Sequence, residues 1–244
     1  MKVALVTGAA AGIGAEIARR LSRDSIAIGV LDLRLADAAK VADEINAGGG
    51  KAIALEADIT RRTQVRAAIA KLRAALGPVT ILVNNAGMTA FTPFEQITEE
   101  LWDKVFEVNV KGTFIVTQEA LADMKAAGWG RIVNISSSSA QSGAVNMAHY
   151  SASKGAVIVF TKTLARELGP LGITVNNIPP RFVMGTIMSE ANVSPEHRKT
   201  MAEAGPIMRE GRPADIAGAA AWLVSDEAGY VTGQTIGVNG GRYI

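Results

Sequence analysis

The chain has 244 residues, about 1.6 times a typical 150-residue domain, and its 48% apolar and 20% charged residues are an ordinary globular balance. It has no cysteine and only two histidines, His149 and His197, which excludes disulfides, thiolate metal centres, a cysteine nucleophile and a multi-histidine metal site, so no metal is expected. A net charge of +2 gives little pull toward nucleic acid or anionic membrane, and no apolar run is long enough to cross a bilayer or to act as a signal segment, so a soluble cytoplasmic protein is expected.

Short β-branched runs alternate with longer stretches at helical spacing. Strands are predicted at Val3–Thr7, Ile26–Asp32, Ala52–Ala57, Val79–Val83, Arg131–Ser136, Thr174–Asn177 and Thr235–Val238. Helices are predicted at Ile13–Ser22, Leu35–Ala47, Arg61–Leu76, Glu99–Val108, Val110–Ala126, Tyr150–Leu168, Pro195–Ala204 and Pro213–Ser225. The strands are continuous apolar runs, the pattern of strands covered on both faces. Strand–helix alternation then predicts an α/β fold, a doubly wound seven-stranded parallel sheet in a single domain over 1–244. The stretch 185–205, with Gly185 and Gly205 at its ends and Ser194-Pro195 as a helix start, reads as a lid.

Three features carry chemistry. The first strand runs into Thr7-Gly8-Ala9-Ala10-Ala11-Gly12-Ile13-Gly14 and then a helix. Glycines at such a turn let the backbone approach a diphosphate, whose charge sits at the helix N-terminus. Asp32 closes the second strand, where a carboxylate accepts both ribose hydroxyls of an adenosine and repels a 2′-phosphate. With Ala11 rather than a basic residue in the turn, NAD is favoured, and Arg34 is the one feature favouring NADP. Tyr150 and Lys154 are four residues apart, on one helix face. An ammonium one turn away would lower the phenol's pKa and make the pair a general acid/base. Ser137, thirteen residues earlier at a strand end, can hold a substrate oxygen.

In this order, with Asp58-Ile59-Thr60, Asn84-Asn85-Ala86-Gly87, Asn109 and the fifth strand's Asn134-Ile135-Ser136-Ser137, these pieces resemble the short-chain dehydrogenase/reductase family over essentially the whole chain. The resemblance implies catalytic roles for Asn109, Ser137, Tyr150 and Lys154, with Asn109 linked to Lys154 through water. It implies NAD contacts from Gly8, Ala10, Ala11, Gly12, Ile13 and Gly14 at the diphosphate, and from Asp32 and Leu33 at the adenosine ribose. Asp58 and Ile59 would border the adenine, with Asn85, Ala86 and Gly87 along the adenosine side. Tyr150 and Lys154 would hold the nicotinamide ribose, and Pro180 and Val183 the carboxamide end. Ser139, Met147, Met184 and Met188, with Phe91, are the substrate-pocket candidates.

The expected activity is hydride transfer between NAD(H) and a secondary alcohol or ketone. The alternatives are a 3-oxoacyl-thioester reductase using NADP(H), an epimerase using NAD internally, or a dinucleotide-binding regulator without catalysis. The resemblance, together with apolar faces on Val110–Ala126 and Tyr150–Leu168, implies a homotetramer. The chain departs from the family pattern at Arg181, where glycine is expected and a positive φ would strain an arginine, at Gly185 in place of a threonine with Thr186 one later, and at Asn239 in place of a common aspartate.

Overall fold

A computed structural model describes residues 2–186, 200, 203 and 205–243. Six strands, β1 (Val3–Thr7), β2 (Ala27–Asp32), β3 (Ala52–Glu56), β4 (Ile81–Asn84), β5 (Gly130–Ile135) and β6 (Ile173–Ile178), form one sheet in the order β3-β2-β1-β4-β5-β6. Every pairing is parallel. The crossovers are α1 (Gly12–Ser22), α2 (Leu35–Ala47), α3 (Arg62–Leu76), α4 (Glu99–Phe106) running on into α5 (Thr113–Ala127), and α7 (Ala148–Leu168). The short helix α6 (Ser139–Ser142) follows β5, and α8 (Pro213–Val224) follows β6.

The continuous apolar strands are covered on both faces, as their composition predicts. Because side chains alternate along a strand, β1 sends Ala4 and Val6 into one core layer and Val3 and Leu5 into the other. The first layer is closed by Ile17 and Leu21 of α1, Val41 and Ile45 of α2, and Ile216 and Leu223 of α8. The second is closed by Ile69 and Leu72 of α3, Ile115 and Met124 of α5, and Ala165 and Leu168 of α7.

The structure corrects three expectations. The seventh strand, Thr235–Val238, is not a ladder but two isolated parallel bridges, Asn177↔Thr235 and Pro180↔Val238. Pro179 and Pro180 follow β6 and have no N–H to donate, so pairing cannot run on continuously. Upstream, side chains share the edge of β6 with backbone: Thr232 Oγ1 accepts from Val175 N at 3.1 Å and Asn176 Nδ2 donates to Val231 O at 2.7 Å, beside Gly233 N to Val175 O at 2.8 Å and Asn177 N to Gln234 O at 2.9 Å. Second, the predicted helices either side of Asn109 are one continuous helix, joined by a π-helical segment, Glu107–Gly112. Third, the positive φ that would have strained Arg181 falls one residue later, at Phe182 (φ 51°), so the loop takes a different path there. The helix predicted at Pro195–Ala204, Met188, and most of the lid at 185–205 lie outside the described residues.

Candidate active site

The strand order reverses between β1 and β4, the position at which the loops leaving the carboxyl ends of an α/β sheet part and open a crevice. One wall is the turn after β1. Gly8 and Gly12 have φ of 62° and 56°, a backbone that favours glycine. A Cβ on Gly14 would stand 2.3 Å from Gly8 O and 2.5 Å from Asn85 Nδ2, so only glycine lets the start of α1 pack directly onto the turn. That glycine cradle at a helix N-terminus fits the diphosphate of a dinucleotide. Thr186 packs over it, 3.3 Å from where a Cβ of Gly12 would lie, so Thr186 reaches the turn although Gly185 occupies the family's threonine position.

The other wall is the loop after β4. Asn85, expected to contact the adenosine side, spends its amide on the turn: Nδ2 donates to Thr7 O and Gly8 O, both at 3.0 Å. Thr7 Oγ1 accepts from the N–H groups of Asn85 and Ala86 at 3.1 and 3.0 Å. Asn85 thus positions the cradle. Gly87 lies where a Cβ would meet Asn109 Oδ1 at 3.0 Å and Lys154 Nζ at 3.1 Å, so those two groups converge on its Cα.

Asp32 stands at the end of β2. Its Oδ2 accepts from Ala10 N in the cradle and its Oδ1 from Arg34 N, each at 3.1 Å. The Arg34 guanidinium is held by Asp37 at 3.3 Å and lies 3.9 Å from Asp32. Leu33 beside it is 65% exposed. Asp58 accepts from Thr60 N and Thr60 Oγ1 at 2.9 and 2.7 Å. Burial pushes its carboxyl pKa up, but those two bonds, with Lys104 and Arg61, outweigh it and hold the pKa below the usual value. The Ile59 side chain is turned inward onto Gly112, so what Ile59 presents to the crevice is backbone.

Tyr150 and Lys154 sit one turn apart near the start of α7, both buried, at 7% and 5% exposure. Lys154 Nζ donates to Ile135 O at 2.9 Å and lies 5.8 Å from the Tyr150 ring centroid. Ser137, two residues past β5, lies beside the Tyr150 phenol, close enough to draw its pKa down. The expected direction of the tyrosine's pKa is corrected: burial pushes it up to about 12, against a smaller downward pull from Ser137. Burial likewise pushes Lys154 down to about 8. Both groups are desolvated together, and the ammonium's attraction is smaller than that loss of water.

Two serines have roles that the residue pattern did not separate. Ser139, a substrate candidate, is buried and donates to Ser137 from both N and Oγ, at 3.2 and 2.9 Å, so it orients Ser137. Ser153 was missed. Its hydroxyl donates to Tyr150 O at 2.7 Å and accepts from Asn109 Nδ2 at 3.0 Å. The available signal was spacing: three residues after Tyr150 on a helix, a serine bonds back to that carbonyl. Asn109 also clasps Met88 through both amide atoms, at 2.9 and 3.0 Å, and its own carbonyl accepts from Thr113 Oγ1 at 2.8 Å.

Beyond β6, Val183 pairs with Gly211 in an isolated bridge, and Met184 N donates to Gly211 O at 3.0 Å, which pins the segment next to Pro180. Met184 is buried, Met147 is half-buried at the start of α7 and Phe91 is exposed. Asn239 makes the turn contacts an amide can, accepting from Gly241 N at 2.9 Å and donating to Tyr243 O at 3.1 Å.

A glycine cradle at the reversal point of a parallel sheet, with the buried Tyr150 and Lys154 and the half-buried Ser137 beyond β5, is the arrangement of a nucleotide-dependent oxidoreductase. The chain belongs to the short-chain dehydrogenase family, whose profile matches residues 2–197, and is an oxidoreductase of that family, one that works with a nicotinamide dinucleotide. It is 42% identical to nodulation protein G of Azospirillum brasilense over 98% of this chain and 97% of that one. It is 38% identical to the 3-oxoacyl-(acyl-carrier-protein) reductase FabG of Staphylococcus epidermidis over 100% and 99% of the two chains. The enzyme of the same name from Staphylococcus aureus is 39% identical over 100% and 98%. No helix among the described residues is long and apolar enough to cross a membrane.

Proposed function

We propose that the protein transfers hydride reversibly between NAD(H) and a secondary alcohol or its ketone, with Tyr150 as the general acid/base. The observation that carries this reading is the buried Tyr150 phenol, one helical turn from the buried Lys154 and beside Ser137. Bound in the cradle, the dinucleotide supplies the nicotinamide carbon that gives or takes the hydride. Everything else is done by the chain. A phenol with a pKa of about 12 is protonated at neutral pH, so Tyr150 is ready to give its proton to a carbonyl oxygen as that oxygen gains charge. Ser137, oriented by two bonds from Ser139, donates to the same oxygen. Lys154 keeps a positive charge within one turn of the phenolate that remains and shares in holding the nicotinamide ribose. Asn109, fixed by Met88 and Ser153, holds the π-helical segment against the site.

Preference for NAD rests on Asp32. Its carboxylate bonds to the cradle and would repel a 2′-phosphate, and Arg34 is already engaged by Asp37 and Asp32. A second substrate reading, a 3-oxoacyl thioester, is favoured by the named activity of the staphylococcal relatives, which align over this whole chain. The test is kcat/KM for a panel of ketones, secondary alcohols and 3-oxoacyl thioesters, each with NAD(H) and NADP(H). Turnover of ketones with NADH is the expected result. Exclusive turnover of 3-oxoacyl thioesters with NADPH would replace both halves of the proposal.

A further inference from the structure

Two dipeptides interlock at the far end of β6. Arg181-Phe182 follows the strand, and Arg242-Tyr243 comes from the C-terminal turn. The Arg181 guanidinium lies 5.2 Å from the Tyr243 ring centroid, and the Arg242 guanidinium lies 5.2 Å from that of Phe182. Each cation is thus stacked on the other dipeptide's ring. Stacking uses the guanidinium faces and leaves their in-plane N–H groups to find acceptors. Among the described residues Arg181 Nη1 reaches only a neutral hydroxyl, Ser142 Oγ at 3.4 Å. Arg242 Nη2 is buried and bonded to nothing among the described residues.

The two arginines line a cavity of about 390 Å³ walled by Phe182, Val183, Ile207 and the Gly237–Gly241 turn. Its one acidic residue, Asp215, is already spoken for: Arg209 binds it in a fork at 2.7 and 2.8 Å, and Arg212 N donates to it at 2.8 Å. Among the described residues the positive charges of Arg181 and Arg242 therefore lie near each other without a counter-charge of their own. Burial lowers the Arg242 pKa, and the neighbouring Arg181 lowers it further.

The site is also built at a cost to the backbone. Phe182 holds φ 51°, a conformation worth about 1–2 kcal/mol against an L residue. Gly205 seats the Arg242 stem, since a Cβ there would stand 2.8 Å from Cγ and 3.0 Å from Nε. An unpaired buried donor on Arg242, like charges held together and backbone strain at one place mark a site arranged for a ligand.

We infer that Arg181 and Arg242 form an oxyanion-binding site that takes the carboxylate or phosphate group of a small molecule. The planar forks suit either group, and bidentate pairing would satisfy the donors the protein leaves open. The site adjoins the chemistry from two sides. Ser142 ends α6, the helix that begins at Ser139, and Val183 is a wall of the same cavity. The anion binding itself does not depend on the proposed reaction.

The test is calorimetric titration of the full chain with inorganic phosphate and, separately, malonate, at constant ionic strength set with sodium chloride. Saturable binding is expected, with affinity falling about tenfold or more in Arg242→Gln and in Arg181→Gln, the loss of a charge-assisted hydrogen bond in each. Arg242→Lys, which keeps the charge without the fork, should recover only part of it. The glycine cradle is untouched in these variants, so a loss of binding assigns the anion to the arginine pair. The half-buried Arg181 gives a variant whose folding is secure if Arg242→Gln is not. Preference for phosphate or malonate reports which head group the pocket fits. Binding no stronger than a matched chloride control, or equal in wild type and variants, would overturn the inference. So would variants that change the molecular mass in solution while leaving anion affinity intact, since the pair would then serve an interface.

Discussion

Replacing Lys154 with methionine should stabilise the protein while disabling it. The ammonium is 5% exposed, donates to Ile135 O at 2.9 Å and has no carboxylate partner among the described residues. Its pKa is displaced from 10.5 to about 8 by burial, which sets about 3 kcal/mol against the charged form. Methionine keeps the stem's volume and removes the charge, but strands the Ile135 carbonyl at a cost of about 1–2 kcal/mol. The net gain at pH 7 is about 1–2 kcal/mol, or a few degrees in Tm for a chain of this length. The pH dependence identifies the cause. Between the folded and unfolded pKa values the unfolded chain binds more protons, so wild-type stability rises with pH there. The penalty is fully present below about pH 8 and is relieved as pH climbs toward 10.5, so the variant's advantage should shrink across that interval. Thermal or denaturant unfolding of both proteins from pH 7 to 10 measures it. A variant less stable than wild type at pH 7, or a gap that stays constant with pH, would refute the burial argument.

Tyr150→Phe removes only the exchangeable proton, so turnover should fall by about 10²–10⁴-fold while dinucleotide binding, followed by fluorescence quenching, persists. Asp32→Ala should narrow the ratio of kcat/KM for NAD over NADP by removing the repulsion of the 2′-phosphate; an unchanged ratio would shift the preference to other residues. Light scattering at micromolar concentration should give a homotetramer mass. Phe114 and Val159 leave apolar surface on α5 and α7, and a groove of about 690 Å³ lined by Phe106, Val110 and Phe114 follows the α4–α5 face, which a second copy would cover.

The sheet was legible because strands buried on both faces are mostly apolar rather than alternating, and β1, β2, β4, β5 and β6 are buried almost end to end, with polar residues such as Asn134, Asn176 and Asn177 as the exceptions. The Gly8–Gly14 turn was legible for a related reason: only glycine tolerates both its φ and its crowding. Other features lay beyond residue patterns because they depend on what meets across space. Thr235–Val238 has strand composition, but whether it pairs is decided by two prolines about sixty residues earlier. The pattern at Arg181 located the strain of the loop to within one residue, yet could not show that Phe182 would bear it. The Tyr150–Lys154 spacing correctly put the two on one face, but the sign of the tyrosine's pKa depends on burial, which spacing does not contain. Ser137 and Ser139 are chemically alike and two apart; only their orientation separates the one facing Tyr150 from the one behind it.

The π-helical segment at Glu107–Gly112 gives the long α4–α5 helix one residue more than a regular helix would use. Deleting one residue there would let the chain close into uninterrupted α-helix with no loss of hydrogen bonding. Winding every residue of the segment as regular α-helix would instead turn everything on α4 by about 100° relative to α5. The amphipathic face of α4 would then no longer match the surface it covers, and Asn109 would swing away from Met88 and Ser153. The irregular turn is therefore a phase adjuster between two rigid rods: it lets one helix satisfy two packing surfaces whose orientations a uniform 3.6-residue repeat could not serve together, and it puts the asparagine at the point where the phase changes.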